Sequence, residues 1–316
     1  MNANSIKAKT IKDRVLKVIC LLMTLISASI IVLVVTLILI KGLSPFFKTY
    51  IIDGKETRIN FWDFLFGNSW SDPNSYGVGF IILDTIYIVF LALLLATPVS
   101  ILTALFIVRK APRFLKGILT NTTEVLASIP SIVYGIFGAG VITNFVKWLG
   151  NLFNYQTAGG KSTLASVIVL AIMIIPTMTM ISITSIKAVK TDVINGSIAL
   201  GASKTQTDFK VVLSSAKSGL FAAVILGLGR ALGEATAISM VVGNATNGPN
   251  FNILDISRTL TSTMMLGLKE TIGLSYDIRF SVAIVLIFII LASNILLNFV
   301  KKKIGKVSWE NLKIVY

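Results

Sequence analysis

The sequence predicts an all-α integral membrane protein with six transmembrane helices. Three observations carry that assignment. Of 316 residues, 54% are apolar and 14% charged, with a mean hydropathy of +0.84, whereas a soluble domain carries about a quarter charged residues. Six apolar stretches, near 15–40, 79–108, 118–145, 162–186, 217–243 and 279–300, are long enough to cross about 30 Å of hydrocarbon. The polar segments between them sort by charge: 19 of the 29 cations fall on one set of alternating segments and nine on the other, with Arg230 left inside a span. That bias sets both ends of the chain in the cytoplasm. Cys20 is the only cysteine and histidine is absent, so a disulfide scaffold and imidazole chemistry are both excluded. The net charge of +15 follows from topology, and no nucleic-acid partner is expected.

Taken in order, residues 1–14 form a cytoplasmic N-terminus with Lys7, Lys9, Lys12 and Arg14. The 15–40 stretch is too long for the core of a cleaved signal and reads as a signal-anchor helix. Residues 41–78 make an extracytoplasmic segment whose aromatics, Phe61, Trp62, Phe64, Phe66 and Trp70, suit a position at the membrane surface. A five-helix core runs from 79 to 300, and 301–316 is a basic cytoplasmic tail. Pro98, Pro130 and Pro176 fall inside spans, which membrane helices tolerate when neighbours re-satisfy the freed backbone groups.

Two glycine patterns are decoys. Ala-Gly-Gly-Lys-Ser-Thr at 158–163 resembles a phosphate loop, but Tyr155 stands where the first glycine of that motif is required. Gly227, Gly229 and Gly233 are spaced wrongly for a dinucleotide fingerprint and fit close helix packing better.

Four ionisable residues fall inside the spans: Asp84, Glu124, Arg230 and Glu234. Each costs roughly 2.5–3.5 kcal/mol near a helix centre on insertion scales. Asp84 and Glu124 lie within two turns of a span end and can reach water or a neighbouring helix. Arg230 sits at the middle of the 217–243 stretch, and Glu234 follows one helical turn later on the same face. A guanidinium is a planar fork of donors suited to phosphate or carboxylate oxygens, and Glu234 would hold or release it. These residues make either a structural ion pair that neutralises itself or a path for an anion or polar solute, and the desolvation cost of a purely structural pair favours the path.

Between the fourth and fifth spans, loop 187–217 is too polar to cross. Val193, Ile194, Ile198 and Ala199 make a partial apolar stripe, Gly201 breaks the chain, and Ser203 with Gln206 starts a second short helix as a capping box. A helix–glycine–helix of this kind is a surface for a partner, or an amphipathic element on the membrane lipid.

Three stretches resemble the permease subunits of phosphate (Pst) ABC importers: Ala-Ser-Ile-Pro-Ser-Ile-Val-Tyr-Gly-Ile-Phe-Gly at 127–138, Ile-Ala-Leu-Gly-Ala-Ser-Lys-Thr-Gln-Thr-Asp-Phe-Lys-Val-Val-Leu at 198–213, and Gly-Leu-Gly-Arg-Ala-Leu-Gly-Glu-Ala-Thr-Ala-Ile-Ser-Met-Val-Val-Gly-Asn at 227–244. The closing Met-Val-Val-Gly-Asn is closer to the PstC type than to the PstA type. The resemblance implies type I ABC importer architecture in a bacterial cell membrane. It implies as partners a PstA-type permease, two ATPase subunits and an extracytoplasmic phosphate-binding protein. This chain would be non-catalytic and bind no cofactor, with ATP and Mg held by the ATPase chains. The phosphate path would involve Arg230, Glu234, Thr236, Pro130, Ser131 and Tyr134, and ATPase coupling Asn195, Gly196, Ser197, Leu200, Gly201 and Ala202. The chain departs from the family where Asn195, Gly196 and Ser197 replace Glu-Ala-Ala, Ser214 replaces a proline, and Ala235-Thr236-Ala237 replaces Thr-Met-Ala. The last change moves a hydroxyl about 100° around a continuous helix. The residues alone leave open another oxyanion, sulfate or molybdate, and an ion-driven secondary transporter.

Overall fold

The structure, a computed structural model, describes the backbone of residues 3–52, 55–71 and 75–313 and the side chains of 13–51, 56–71 and 75–301. Among these residues six helical stretches are long and apolar enough to cross a membrane: Asp13–Phe47, Gly79–Lys110, Ser131–Leu152, Thr163–Lys187, Lys204–Leu232 and Leu274–Lys301.

The first, α1 (Ala3–Phe47), lies at the edge of the bundle. None of its most apolar window is buried. Among its described residues, those that are buried lie at the C-terminal end, Gly42 and Ser44–Phe46. After α1, a hairpin pairs β1 (Tyr50–Ile52) with β2 (Lys55–Thr57), Tyr50 opposite Thr57. The short α2 (Phe61–Phe66) follows, capped by Asn60, and β3 (Trp70–Ser71) pairs with β4 (Ser75–Tyr76). The sequence placed the aromatics of this segment at the membrane surface. Phe61, Trp62 and Phe66 are indeed exposed, but Phe64, Trp70 and Tyr76 are buried. They join Phe46, Phe80, Leu260 and Ile278 in one apolar cluster, so the segment is a packed cap on one end of the bundle. Trp70 meets Tyr76 edge to face at 5.3 Å, a geometry worth about 0.5–1.5 kcal/mol beyond burial.

The centre is built from α3 (Gly79–Leu105) and α7 (Thr163–Lys187), joined by α10 (Leu213–Leu232). Where lipid is as apolar as leucine, helices associate through close packing and hydrogen bonds. The α3 face meets that demand with small residues at every fourth position, Ala92, Ala96, Ser100 and Ala104, all fully buried. Ser100 donates to the Ile175 carbonyl of α7 at 3.2 Å. The Gly-Gly-Lys-Ser-Thr decoy resolves into a turn that delivers Ser162 as the N-cap of α7, accepting from Ala165 N at 3.1 Å.

Two of the six stretches differ from the sequence expectation. The apolar run 118–145 is not one helix. An amphipathic helix, α4 (Arg113–Ser128), ends where Ile129 turns extended before Pro130, as a residue preceding proline is driven to do. The crossing begins afterwards, with α5 (Ser131–Phe137) continuing through a π-helical turn, Gly138–Ile142, into α6 (Thr143–Leu152). Glu124 therefore stands exposed on α4, outside any crossing. The fifth crossing is displaced at both ends. It starts at Lys204, where the Ser203–Gln206 capping box opens α9 (Lys204–Gln206). It continues through a π turn, Thr207–Val212, into α10 and stops at Leu232. The second helix of the polar loop is thus the base of a crossing. Before it come α8 (Thr191–Ala199) and Gly201 at φ +88°, a left-handed turn that glycine enters without steric cost. Beyond α10 lie α11 (Thr236–Val241), α12 (Leu260–Met265) and the long α13 (Leu274–Lys313).

Gly227 faces Met178, and a Cβ there would fall 2.6 Å from its sulfur, whereas one at Gly229 would meet nothing within 4 Å. Gly227→Val is expected to overpack the α7–α10 contact and destabilise by about 1–3 kcal/mol. Gly229→Ala should stabilise by up to about 1 kcal/mol through helix propensity. Thermal unfolding in detergent, followed by circular dichroism, reads the two opposite shifts in Tm.

Candidate functional site

The site forms where two chain breaks meet. Pro130 opens α5 and leaves Ser131 as its first residue. Gly233 closes α10, and Thr236 is the first residue of α11. The hydroxyls of Ser131 and Thr236 lie 3.0 Å apart, so the N-termini of α5 and α11 converge. The first backbone N–H groups of a helix lack partners within it. One side chain serves this need at α11: Glu234 Oε1 accepts from Ala237 N at 2.9 Å and from Thr236 Oγ1 at 3.1 Å. Its carbonyl accepts from Thr261 Oγ1 of α12 at 2.7 Å. Glu234 is buried, and its negative charge lies at the positive end of the α11 backbone.

Arg230 occupies the last turn of α10. Its Nη1 donates to Thr177 Oγ1 of α7 at 2.6 Å. The midpoint placement and the one-turn pairing with Glu234 are both corrected by this geometry. The helix ends at Leu232, so Glu234 is no longer on the Arg230 face, and its carboxylate is engaged by α11. Arg230 belongs to none of the ion pairs Lys41–Asp277, Arg109–Asp208 and Lys110–Asp208. The same break voids the 100° displacement of the Thr236 hydroxyl, which holds only for a continuous helix. Tyr134, buried on α5, donates to the Leu126 carbonyl at 2.7 Å and ties the end of α4 to the site. Arg230 lies four residues before Glu234, across the Gly233 break. Pro130, Ser131, Tyr134, Arg230, Glu234 and Thr236 are thereby gathered into one locality.

Three residues escaped the sequence reading. Thr177 is one of many threonines in apolar helices, and only its place after Pro176 sets it apart. Thr261 belongs to the Thr-Leu-Thr-Ser-Thr run at 259–263, whose capping box, Thr259 with Ser262, starts α12. Arg258 lies in a segment read as an outer loop, yet burial, with the Arg279 charge second, pushes its pKa down to about 10. Asp84, fully buried on α3, receives the backbone N–H of Arg258 and of Asn250, each at 3.3 Å. It fastens the non-helical 244–259 segment to α3, so it reaches neither water nor a neighbouring helix, the two roles open to it from sequence.

The six residues of the polar loop lie together at the other end of the bundle. Asn195 and Gly196 are exposed on α8. Leu200 is 91% exposed. Ala202 N donates to the Ser197 carbonyl at 3.2 Å across the Gly201 turn. Among the described residues no group of three or more His, Cys, Asp or Glu is placed to hold a metal ion.

Six crossings, two interrupted helices and an arginine at their break define a multi-pass membrane subunit built around a polar interior. Residues 96–306 match the family of binding-protein-dependent transport system inner membrane components. The chain is 31% identical over 264 residues to the phosphate transport system permease protein PstC of Pasteurella multocida, covering 78% of this chain and 82% of that one. It is 35% identical over 237 residues to the probable ABC transporter permease protein YqgH of Bacillus subtilis, covering 73% and 72%. A bacterial alginate ABC transporter, solved with an alginate-bound periplasmic protein, superposes with a TM-score of 0.65 at 17% identity over 94% of this chain and 98% of that one. The chain belongs to the binding-protein-dependent transport system inner membrane component family, and its fold is that of ABC importer permeases. An ion-driven secondary transporter is thereby set aside.

Replacing Glu234 tests the capping role. Glu234→Ala removes the acceptor for Ala237 N and Thr236 Oγ1 and should cost about 0.5–2 kcal/mol, the range of a lost helix cap. Glu234→Gln keeps an oxygen there and should lose less than half as much. Thermal melts of the purified subunit compare them, and equal losses would show that charge, not acceptance, is what α11 needs.

Proposed function

We propose that this chain is the PstC-type permease subunit of an ABC importer of inorganic phosphate. The observation that carries the reading is Arg230 beside the converging N-termini of α5 and α11, with its charge outside any ion pair among the described residues. Backbone N–H groups at a helix N-terminus attract anions, and a guanidinium matches phosphate oxygens two at a time. The Glu234 carboxylate already occupies the N-terminus of α11, which leaves phosphate to Arg230 and the N-terminus of α5. The phosphate transport names of several relatives support the same solute.

In this reading α1 is an uncleaved anchor, both termini and the α8–Gly201 turn face the cytoplasm, and the cap over 48–78 faces outward. That orientation rests on the cation bias. The turn docks on one of two ATPase subunits, which hold ATP and Mg. A PstA-type permease completes the path, and an extracytoplasmic phosphate-binding protein delivers the anion. The chain itself is non-catalytic. During alternating access Arg230 exchanges Thr177 for phosphate, and the interrupted helices rock around it.

Uptake of radiolabelled phosphate by cells carrying the complete transporter tests this. Arg230→Ala should reduce the rate at least tenfold at equal membrane abundance. Arg230→Lys, which keeps the charge but loses the fork, should recover only a minor part. Normal uptake by both variants would remove Arg230 from the path. A wild type that moves sulfate and not phosphate would reassign the solute.

A further inference from the structure

At the end of the bundle that carries α8, one carboxylate is held by two cations. Asp208, 1% exposed, accepts from Arg109 Nε at 2.7 Å through Oδ1 and pairs with Lys110 Nζ at 3.0 Å through Oδ2. Arg109 and Lys110 end the π-helical turn Phe106–Lys110 that prolongs α3. Asp208 lies in a second π turn, Thr207–Val212, at the base of α10. A π turn carries one residue more than an α turn and is found mostly at functional positions. Two of the three π turns among the described residues are therefore cross-linked by charge.

The cluster extends to the exposed turn. Thr207, the neighbour of Asp208, is fully buried and bonds its hydroxyl to Ser197 Oγ of α8 at 3.0 Å. Ile194 of α8 packs on the apolar cluster of Ile107, Ile186 and Val212 below it. The remaining face of α8, with Asn195, Gly196, Ile198 and Leu200, is exposed. A load on that face reaches the bundle through Ser197–Thr207 and Ile194. Asp208 then divides it between α10, to which it belongs, and α3, which it grips through Arg109 and Lys110.

We infer that Asp208 is a positioning residue that locks the α8 turn to the end of α3, so that displacement of the turn moves α3 and α10 as one body. The arrangement suits that task. A carboxylate taking two charge-assisted bonds is held more firmly than one in a neutral contact. Burial protects the pair from the salt screening that weakens surface bridges. The cations themselves keep a route to water, with side chains 25% and 41% exposed, so loss of Asp208 leaves neither of them trapped.

The inference rests on the reading of the α8 turn as the ATPase-facing surface, and the test separates the two. Amide hydrogen exchange is measured on the complete transporter in lipid nanodiscs, with and without a non-hydrolysable ATP analogue, which requires no assumption about the solute. In wild type, nucleotide should alter exchange in both 191–203 and 101–110. Asp208→Asn should keep the response at 191–203 and lose that at 101–110. In proteoliposomes the same variant should hydrolyse ATP within about twofold of wild type while phosphate moved per ATP falls at least tenfold. The swapped pair Arg109→Asp with Asp208→Arg should recover part of both signals, which a merely structural loss would not. Lys110→Gln, a milder change at the more exposed cation, should show the same pattern more weakly and reports if Asp208→Asn fails to assemble. An unchanged response at 101–110 in Asp208→Asn overturns the lock alone. A wild type whose 191–203 segment ignores nucleotide overturns the ATPase-facing reading and the lock with it.

Discussion

Hydrocarbon offers no hydrogen-bond partner, so every backbone group released where a crossing helix is interrupted must be satisfied from within the protein. The centre of this molecule follows from that requirement. Pro130 and Gly233 each end a run of helix, and the polar groups so released draw in Ser131, Thr236, Glu234 and Thr261. The breaks have a use that repays their cost. They bring two helix N-termini together, near an arginine that donates to a threonine hydroxyl and, among the described residues, pairs with no carboxylate. A continuous helix through 217–243 would have buried the same arginine and glutamate as a self-cancelling pair, a satisfactory structure with nothing to offer a passing anion.

The charged residues sort by distance from this centre. At the capped end, Lys41, Asp277, Tyr50 and Ser44 join α1 to α13, and Asp84 fastens the 244–259 segment to α3. At the opposite end Asp208 gathers Arg109 and Lys110. Both ends are thus fixed by carboxylates, and the middle is held by hydroxyls, the Arg230 guanidinium and the Glu234 carboxylate that α11 engages. Hydroxyl contacts exchange at less cost than buried ion pairs, so the centre is more lightly held than the end that Asp208 cross-links.

Much of this was legible in the residues. Length and apolarity give the six crossings, Ser203 and Gln206 announce their capping box, and Gly201 its turn. Arg230 and Glu234 stand out as well, since a charge inside an apolar run is rare, whereas Pro130, Ser131, Tyr134 and Thr236 are marked only by resemblance. Hydropathy averaged along the chain does not register where a helix stops. Both corrected spans join two elements across a break, one at a proline of a kind tolerated within membrane helices. Thr177 is invisible for a related reason: threonines in such helices mostly bond their own turn, as Thr179 does with Ile175. The Asp208 cluster joins residues about a hundred positions apart, and its cations already had a sufficient explanation in topology. One residue can satisfy two demands, and composition reveals only the first.

The edge position of α1 carries a consequence for how this chain can vary. From residue 13 to 37 every described side chain is exposed within the chain, and the fastening to α13 is confined to Lys41, Gly42 and their neighbours. Within this chain most of the helix has no packing of its own to preserve, so any demand on it beyond oiliness and extent comes from what lies against its outer side. Kinship among such chains is better traced through the interrupted helices, whose contacts are internal, than through the segment that comes first.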